Sequence, residues 1–194
     1  MKTHPKTTLS LGDNMDKQTL RKMFLKERQK LSLPQHRMLN HLLMEGLIEL
    51  LKTRPIKNIG IFYPIKNEVD VRALGSDYKL HYPKVEKDTL VFYEDNGQFK
   101  KAGLGVMEPK DSRPVEKASL DAVIVPGLVF DDALYRLGYG KGYYDSFLKD
   151  YKGLKIGVCF EKFRTEALPN KPHDIPMDYL ITDNQVYVSR HDDV

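Results

Sequence analysis

Apolar residues recur along this chain with two periods, and the switch from one to the other sets the first expectations. Leu20, Phe24 and Leu31 fall on one face of a helix that begins near Asp16. Ser32-Leu33-Pro34-Gln35 then combines the spacing of a capping box with an early proline, which predicts the start of a second helix. Within it Leu39, Leu42, Leu43, Leu47, Leu50 and Leu51 recur at three- and four-residue steps, a stripe for packing on a sheet that ends before Pro55. Seven shorter apolar runs follow, at Ile59 to Tyr63, Leu80 to Tyr82, Leu90 to Tyr93, Ala122 to Val125, Lys155 to Phe160, Tyr179 to Thr182 and Val186 to Val188. Their length and bounding turn residues predict strands. Asp95-Asn96-Gly97 predicts a turn that folds the strand at Val91 back as a hairpin.

Strands alternating with helical stretches predict an α/β fold, a three-layer α/β/α domain around a mostly parallel central sheet. In such sheets ligands gather at the carboxyl ends of the strands. The domain is expected over residues 15–194, behind a polar, aperiodic stretch over residues 1–14 that reads as a flexible leader without chemistry.

Composition narrows the class. With 194 residues, 41% hydrophobic and 30% charged, the chain is long enough to bury a core and too apolar for wholesale disorder. Its single cysteine, Cys159, lies in the apolar run Ile156 to Phe160, so no intramolecular disulfide forms and a buried thiol in a reducing cytoplasm is expected. No segment approaches the roughly 18 uninterrupted apolar residues of a membrane span, and residues 1–14 lack the apolar core of a signal peptide, so no membrane partner is expected. A formal charge of +4 favours anionic ligands such as nucleotide phosphates. Nucleic acid is not expected, because the lysines are dispersed and no zinc-ligand spacing or ribonucleoprotein motif is present.

The chemistry concentrates between Val123 and Leu148. Val123 to Gly127 reads as a buried strand end, Arg136-Leu137-Gly138-Tyr139-Gly140-Lys141-Gly142-Tyr143-Tyr144-Asp145 as a glycine-rich loop, and Phe147-Leu148 as the helix beyond it. Glycines at alternate positions let the backbone approach a ligand and turn its amides inward, while Arg136 and Lys141 add fixed positive charge. Such a loop suits phosphates. It has neither Walker A spacing nor the dinucleotide fingerprint. An isolated alternate-glycine pattern is also what a plain surface connection shows, but here cations and tyrosines are interleaved among the glycines.

The stretch from Val125-Pro126-Gly127 to Asp145 resembles the signature of the 5-formyltetrahydrofolate cyclo-ligase family, whose members are also called methenyltetrahydrofolate synthetases. Lys17 and Arg21, Tyr63 and Glu68, Glu108-Pro109, and His173-Asp174 with Asp178 extend the resemblance in the family's order from Asp16 to Thr182. Asp131 to Tyr135 depart from it, filling a loop where family members often carry glycine. A monomer is expected, and the resemblance implies a cytoplasmic enzyme that takes ATP as co-substrate with magnesium and closes 5-formyltetrahydrofolate to 5,10-methenyltetrahydrofolate, releasing ADP and phosphate.

It also implies roles. Lys17, Arg21 and the loop residues Arg136, Gly138, Tyr139, Gly140, Lys141, Gly142, Tyr143 and Tyr144 would hold ATP, with Lys141 and Arg136 as the catalytic cations. Tyr63 and Glu68 would contact folate, and Asp145 and Asp174 would hold magnesium. His173 is expected to be structural or to support a neighbour. Without the resemblance, Lys17 and Arg21 are equally a solvated helix face, Tyr63 a strand-end aromatic, Glu68 a loop charge, Asp145 a carboxylate favoured at a helix N-terminus, and Asp174 a turn residue before Pro176. A sugar-phosphate isomerase or CoA-transferase relative and a basic RNA-binding protein remain as competing readings.

Overall fold

The structure, a computed structural model, describes residues 15–189. The leader expected over residues 1–14 and the stretch 190–194 lie outside the described residues. Helix α1 (Lys17–Gln29) starts where the Asp16 carboxylate accepts hydrogen bonds from the amides of Gln18 and Thr19, and it buries Leu20, Phe24 and Arg28. Helix α2 (Leu33–Lys52) opens on the expected capping box, with Ser32 and Gln35 each bonding the other's backbone. Leu43, Met44, Leu47 and Leu51 of α2 are buried. The buried stripe is narrower than the leucine pattern suggests, for Leu42 stays 43% exposed. One residue from Leu43 is 100° around a helix, which carries Leu42 off the packed face.

The strands are β1 (Asn58–Gly60), β2 (Lys79–Glu86), β3 (Thr89–Glu94), β4 (Phe99–Lys101), β5 (Met107–Pro109), β6 (Ala122–Pro126), β7 (Val129–Asp131), β8 (Arg136–Leu137), β9 (Leu154–Val158), β10 (Arg164–Thr165), β11 (Tyr179–Ile181) and β12 (Val186–Val188), with helix α3 (Tyr143–Leu148) between β8 and β9. Seven of them form the central sheet in the order β12-β11-β9-β6-β1-β2-β3. Its inner strands, from β11 to β2, run parallel, and the two edges are antiparallel. Ala122, Val123, Ile124 and Val125 of β6 are each 0% exposed. Because successive residues of a strand point to opposite faces, both faces of the sheet are covered there, as the three-layer expectation required. Cys159 is buried, as its apolar setting predicted.

Two local expectations need correction. The strand beginning at Ile59 ends at Gly60, and only the Ile61 amide still bonds back, to the His81 carbonyl at 2.8 Å. Phe62 and Tyr63 therefore leave the sheet instead of extending it. The hairpin partner of β3 is β2, joined through Lys87 and Asp88 at φ 46° and 63°, the positive values that match strand twist in a two-residue turn. Asp95-Asn96-Gly97 does turn, with Gly97 at φ 72° and its amide on Asp95, but it leads into a separate ribbon of β4 and β5.

Leu47→Ala should cost about 2–5 kcal/mol of stability, because it empties a fully buried position. Leu42→Ala should cost roughly 0.5 kcal/mol or less. Urea unfolding followed by circular dichroism checks the pair, and equal losses would contradict the assigned helix face.

Candidate active site

The chain leaves β1 toward β2 on one side of the sheet and leaves β6 toward β9 on the other. Adjacent parallel strands whose continuations diverge in this way leave a crevice at their carboxyl ends. A cleft of about 780 Å³ lies there, and every site residue singled out from the sequence lines it. Phe62, Tyr63, Ile65 and Glu68 come from the segment after β1, Pro126 from the end of β6, and Arg136 to Ser146 from β8, the glycine loop and the first turn of α3. Lys17 and Arg21 of α1 and His173-Asp174 complete the charged part. Pro83, Val85 and Leu90 of the β2–β3 hairpin, with Val106 and Glu108 of the ribbon, supply a more apolar part.

The glycine loop is shaped by its neighbours. Arg21 Nε donates to the Gly138 carbonyl at 2.9 Å, and its guanidinium lies 3.1 Å from where a Cβ on residue 140 would stand. Gly140 also holds φ 96°, so both crowding and backbone conformation call for glycine there. Nothing lies within 4 Å of the corresponding Cβ position at Gly138, which faces open space.

Charges in the cleft are paired across elements. Lys17 Nζ donates to Asp174 Oδ2 at 2.6 Å, and the Lys171 amide donates to the same oxygen. Arg136 NH1 donates to Asp145 Oδ1 at 2.9 Å, and the Ile175 amide donates to that oxygen at 3.2 Å. Ile175 follows Asp174, so the backbone beside Asp174 is held against Asp145. Burial pushes the Asp174 carboxyl up, but the bonds from Lys17 and the Lys171 amide outweigh it and hold it below the usual aspartate range. Lys141 is exposed and has no ion pair or hydrogen-bond partner among the described residues. His173 is exposed, with Nε2 at 3.9 Å from Oδ1 of its neighbour Asp174.

Tyr63 packs its ring against Phe99 of β4 at 5.4 Å between centroids, and Arg72 covers it at 4.5 Å. Asp70 anchors Arg72 through two bonds, to Nε and NH2. Glu68 is 6% exposed, and burial pushes its carboxyl above the usual range against the opposing influence of Arg28, the Ile65 amide and the Tyr139 hydroxyl. The Tyr144 hydroxyl is buried at the cleft without a hydrogen-bond partner among the described residues.

Residues 13–183 match the model of the 5-formyltetrahydrofolate cyclo-ligase family. The chain belongs to that family. It is 33% identical over 170 residues to a 5-formyltetrahydrofolate cyclo-ligase of Mycoplasma genitalium, covering 86% of this chain and 98% of the relative. A solved 5,10-methenyltetrahydrofolate synthetase of Aquifex aeolicus superposes with a TM-score of 0.81 at 37% identity, over 91% of this chain and 94% of that one. The corresponding protein of Mycoplasma pneumoniae superposes with a TM-score of 0.74 at 31% identity, over 87% of this chain and 99% of the other.

Sequence reasoning about this cyclo-ligase family chain missed the apolar part of the cleft. Pro83, Val85, Leu90 and Val106 look like ordinary strand residues until the hairpin and ribbon are seen to border the opening. Lys149 and Lys171 also reach it. Arg28 was missed as well, because an arginine in a helix's last turn looks solvated unless its burial is known.

Asp174→Asn should lower the urea midpoint at neutral pH. A carboxyl held below its ordinary value contributes stability in full above that value and loses it as pH falls through the lowered one. The gap to the unsubstituted protein should therefore narrow only below roughly pH 4. A gap absent at neutral pH, or undiminished in strong acid, would contradict the pairing.

Proposed function

We propose that this chain catalyses the ATP-dependent closure of 5-formyltetrahydrofolate to 5,10-methenyltetrahydrofolate, releasing ADP and phosphate. The observation that carries the reading is the cleft's division of labour: cations and glycine backbone at one part, aromatic and apolar side chains at another, in one continuous space. A triphosphate suits the first part and a flat heterocycle suits the second.

The formyl oxygen of an amide is a poor leaving group. In the proposed reaction it attacks the γ-phosphorus and forms a new P–O bond as the bond to ADP breaks. The side-arm nitrogen then attacks the activated formyl carbon, the carbon–oxygen bond breaks with loss of phosphate, and the nitrogen's proton is released. The protein's tasks are alignment and charge neutralisation, so no nucleophilic side chain is needed.

Arg136 and Lys141 would hold the phosphates, with Lys141 free to follow charge as the phosphoryl group transfers, since it has no ion pair or hydrogen bond among the described residues. Lys17 and Arg21 would reach the nucleotide from α1, and the loop from Gly138 to Tyr144 would surround it. Tyr63 would stack on the pterin, with Arg72 already covering part of its ring. Glu68 would accept hydrogen bonds from the heterocycle.

Asp145 and Asp174 fit a magnesium ion by donor chemistry. Both are hard oxygen donors, and a bound ion would take the place now held by their cationic partners, Arg136 and Lys17. No group of three or more metal-binding side chains occurs among the described residues, so one or two carboxylates would act with phosphate oxygens and water. When bound, the ion would offset the charge of the triphosphate.

The near-ultraviolet absorbance of the methenyl product, followed with 5-formyltetrahydrofolate, magnesium and ATP and with ATP omitted as control, tests the reading. ATP-dependent product is expected, and its absence from folded protein would overturn the assignment. Lys141→Ala should lower turnover by about 10²–10³-fold with the urea midpoint unchanged. Tyr63→Ala should raise KM for folate by roughly tenfold or less, the equivalent of about 0.5–1.5 kcal/mol of ring contact, and leave KM for ATP unmoved. Equal changes for both substrates would remove Tyr63 from the folate side.

A further inference from the structure

Arg28 is a buried charge at the base of the active site. Its side chain sits in the last turn of α1 at 3% exposure. Apolar residues of similar volume in place of the whole Arg28–Glu68 pair would serve the core as well or better, because desolvating an ion pair costs about as much as the pairing returns. What Arg28 touches is the root of the active site. NH2 donates to the Gly127 carbonyl at 2.5 Å and approaches that of Leu128 at 3.3 Å, just beyond the end of β6. NH1 is buried, makes no hydrogen bond among the described residues, and faces Glu68 Oε1 at 3.6 Å.

Glu68 is in turn gripped on several sides. Lys66 and Asn67 hold φ 49° and 60°, two successive residues in the left-handed region, and this turn sends the Glu68 side chain inward. Asn67 Nδ2 donates to the Arg28 carbonyl at 3.4 Å, the Ile65 amide donates to Glu68 Oε2 at 3.0 Å, and a His36 ring nitrogen lies 2.8 Å from the Glu68 carbonyl. The remaining oxygen, Oε1, accepts the Tyr139 hydroxyl at 3.1 Å. Tyr139 stands between Gly138 and Gly140 of the nucleotide-facing loop, whose Gly138 carbonyl is held by Arg21, two turns earlier on the same face of α1.

We propose that Arg28 is a positioning residue for the reaction. By holding Glu68 against Tyr139 it fixes the glycine loop relative to the folate-facing segment, and so sets the approach of the two substrates. The inference rests on the function proposed above. Losing Arg28 leaves Glu68 buried without its countercharge, which favours the neutral acid and breaks the arrangement that orients the Tyr139 hydroxyl. Misplacement of one substrate against the other lowers the rate at saturation, because the two reacting atoms are no longer presented at attack distance.

The test compares kcat, KM for both substrates and urea midpoints for wild type, Arg28→Gln, Arg28→Lys, Tyr139→Phe and the double variant Arg28→Gln/Tyr139→Phe. Arg28→Gln should lower kcat by about 10–100-fold at saturating substrates, with a smaller change in KM for ATP. Arg28→Lys, which keeps the charge, should recover most of that loss. The double variant should be no slower than the slower single variant, since both act on one connection. If Arg28→Gln fails to fold, Tyr139→Phe alone decides, and an unchanged kcat there overturns the proposal.

Variants that lower the urea midpoint but keep wild-type kcat per folded molecule, or whose losses multiply independently, also overturn it. Absence of turnover in the wild type overturns the functional reading itself. Wild-type turnover with unaffected variants removes only the role of Arg28.

Discussion

Two adjacent parallel strands, β1 and β6, send their continuations to opposite sides of the sheet, and the space this opens is the constraint on which the site depends. Helix α1 is the element that ties the two flanks of that space together. Its buried residues Leu20 and Phe24 fix it on the core, which leaves Lys17 and Arg21 to line the cleft and Arg28 to reach the buried layer beneath it. Lys17 meets Asp174, Arg21 meets the glycine loop, and Arg28 meets both the end of β6 and Glu68. A helix of 13 residues therefore organises contacts with residues more than a hundred positions away in sequence.

Electrostatics gives the cleft its second property. Lys17 with Asp174 and Arg136 with Asp145 are neutral pairs, so the cluster keeps its shape without a large unbalanced charge. Such pairs contribute little net stability when partly exposed, and their value lies in holding side chains where a charged ligand can use them. Lys141 stands apart from these pairs on a loop whose glycines leave the backbone open. The combination suits a reaction in which negative charge moves from one oxygen to another and no covalent enzyme intermediate forms.

The fold was legible wherever one local rule decided the outcome. The capping box at Ser32 placed the start of α2, and the uninterrupted apolar run at Ala122 placed a strand buried on both faces. The charged and glycine-bearing part of the site was legible for a different reason. Arg136 to Asp145 form one continuous segment, and the resemblance it carries led to Lys17, Arg21, Tyr63, Glu68 and Asp174, all of which line the same cleft.

What stayed hidden depended on tertiary pairing. Lys87-Asp88 lacks the glycine that marks a two-residue hairpin, so the turn at Asp95-Asn96-Gly97 drew the expectation to the wrong partner strand. The apolar border of the cleft depends on that pairing, since Pro83, Val85 and Leu90 reach it only once β2 and β3 fold together. Arg28 was illegible because burial of a charge follows from packing around it and leaves no periodic trace in sequence.

The central claim, that the formyl oxygen is itself phosphorylated within this cleft, is tested most directly by isotope. 5-Formyltetrahydrofolate labelled with oxygen-18 in the formyl group, turned over with unlabelled ATP in unlabelled water, should deliver its label to the inorganic phosphate, as read by mass spectrometry. Label recovered in water, with none in the phosphate, would contradict phosphoryl activation of the formyl oxygen.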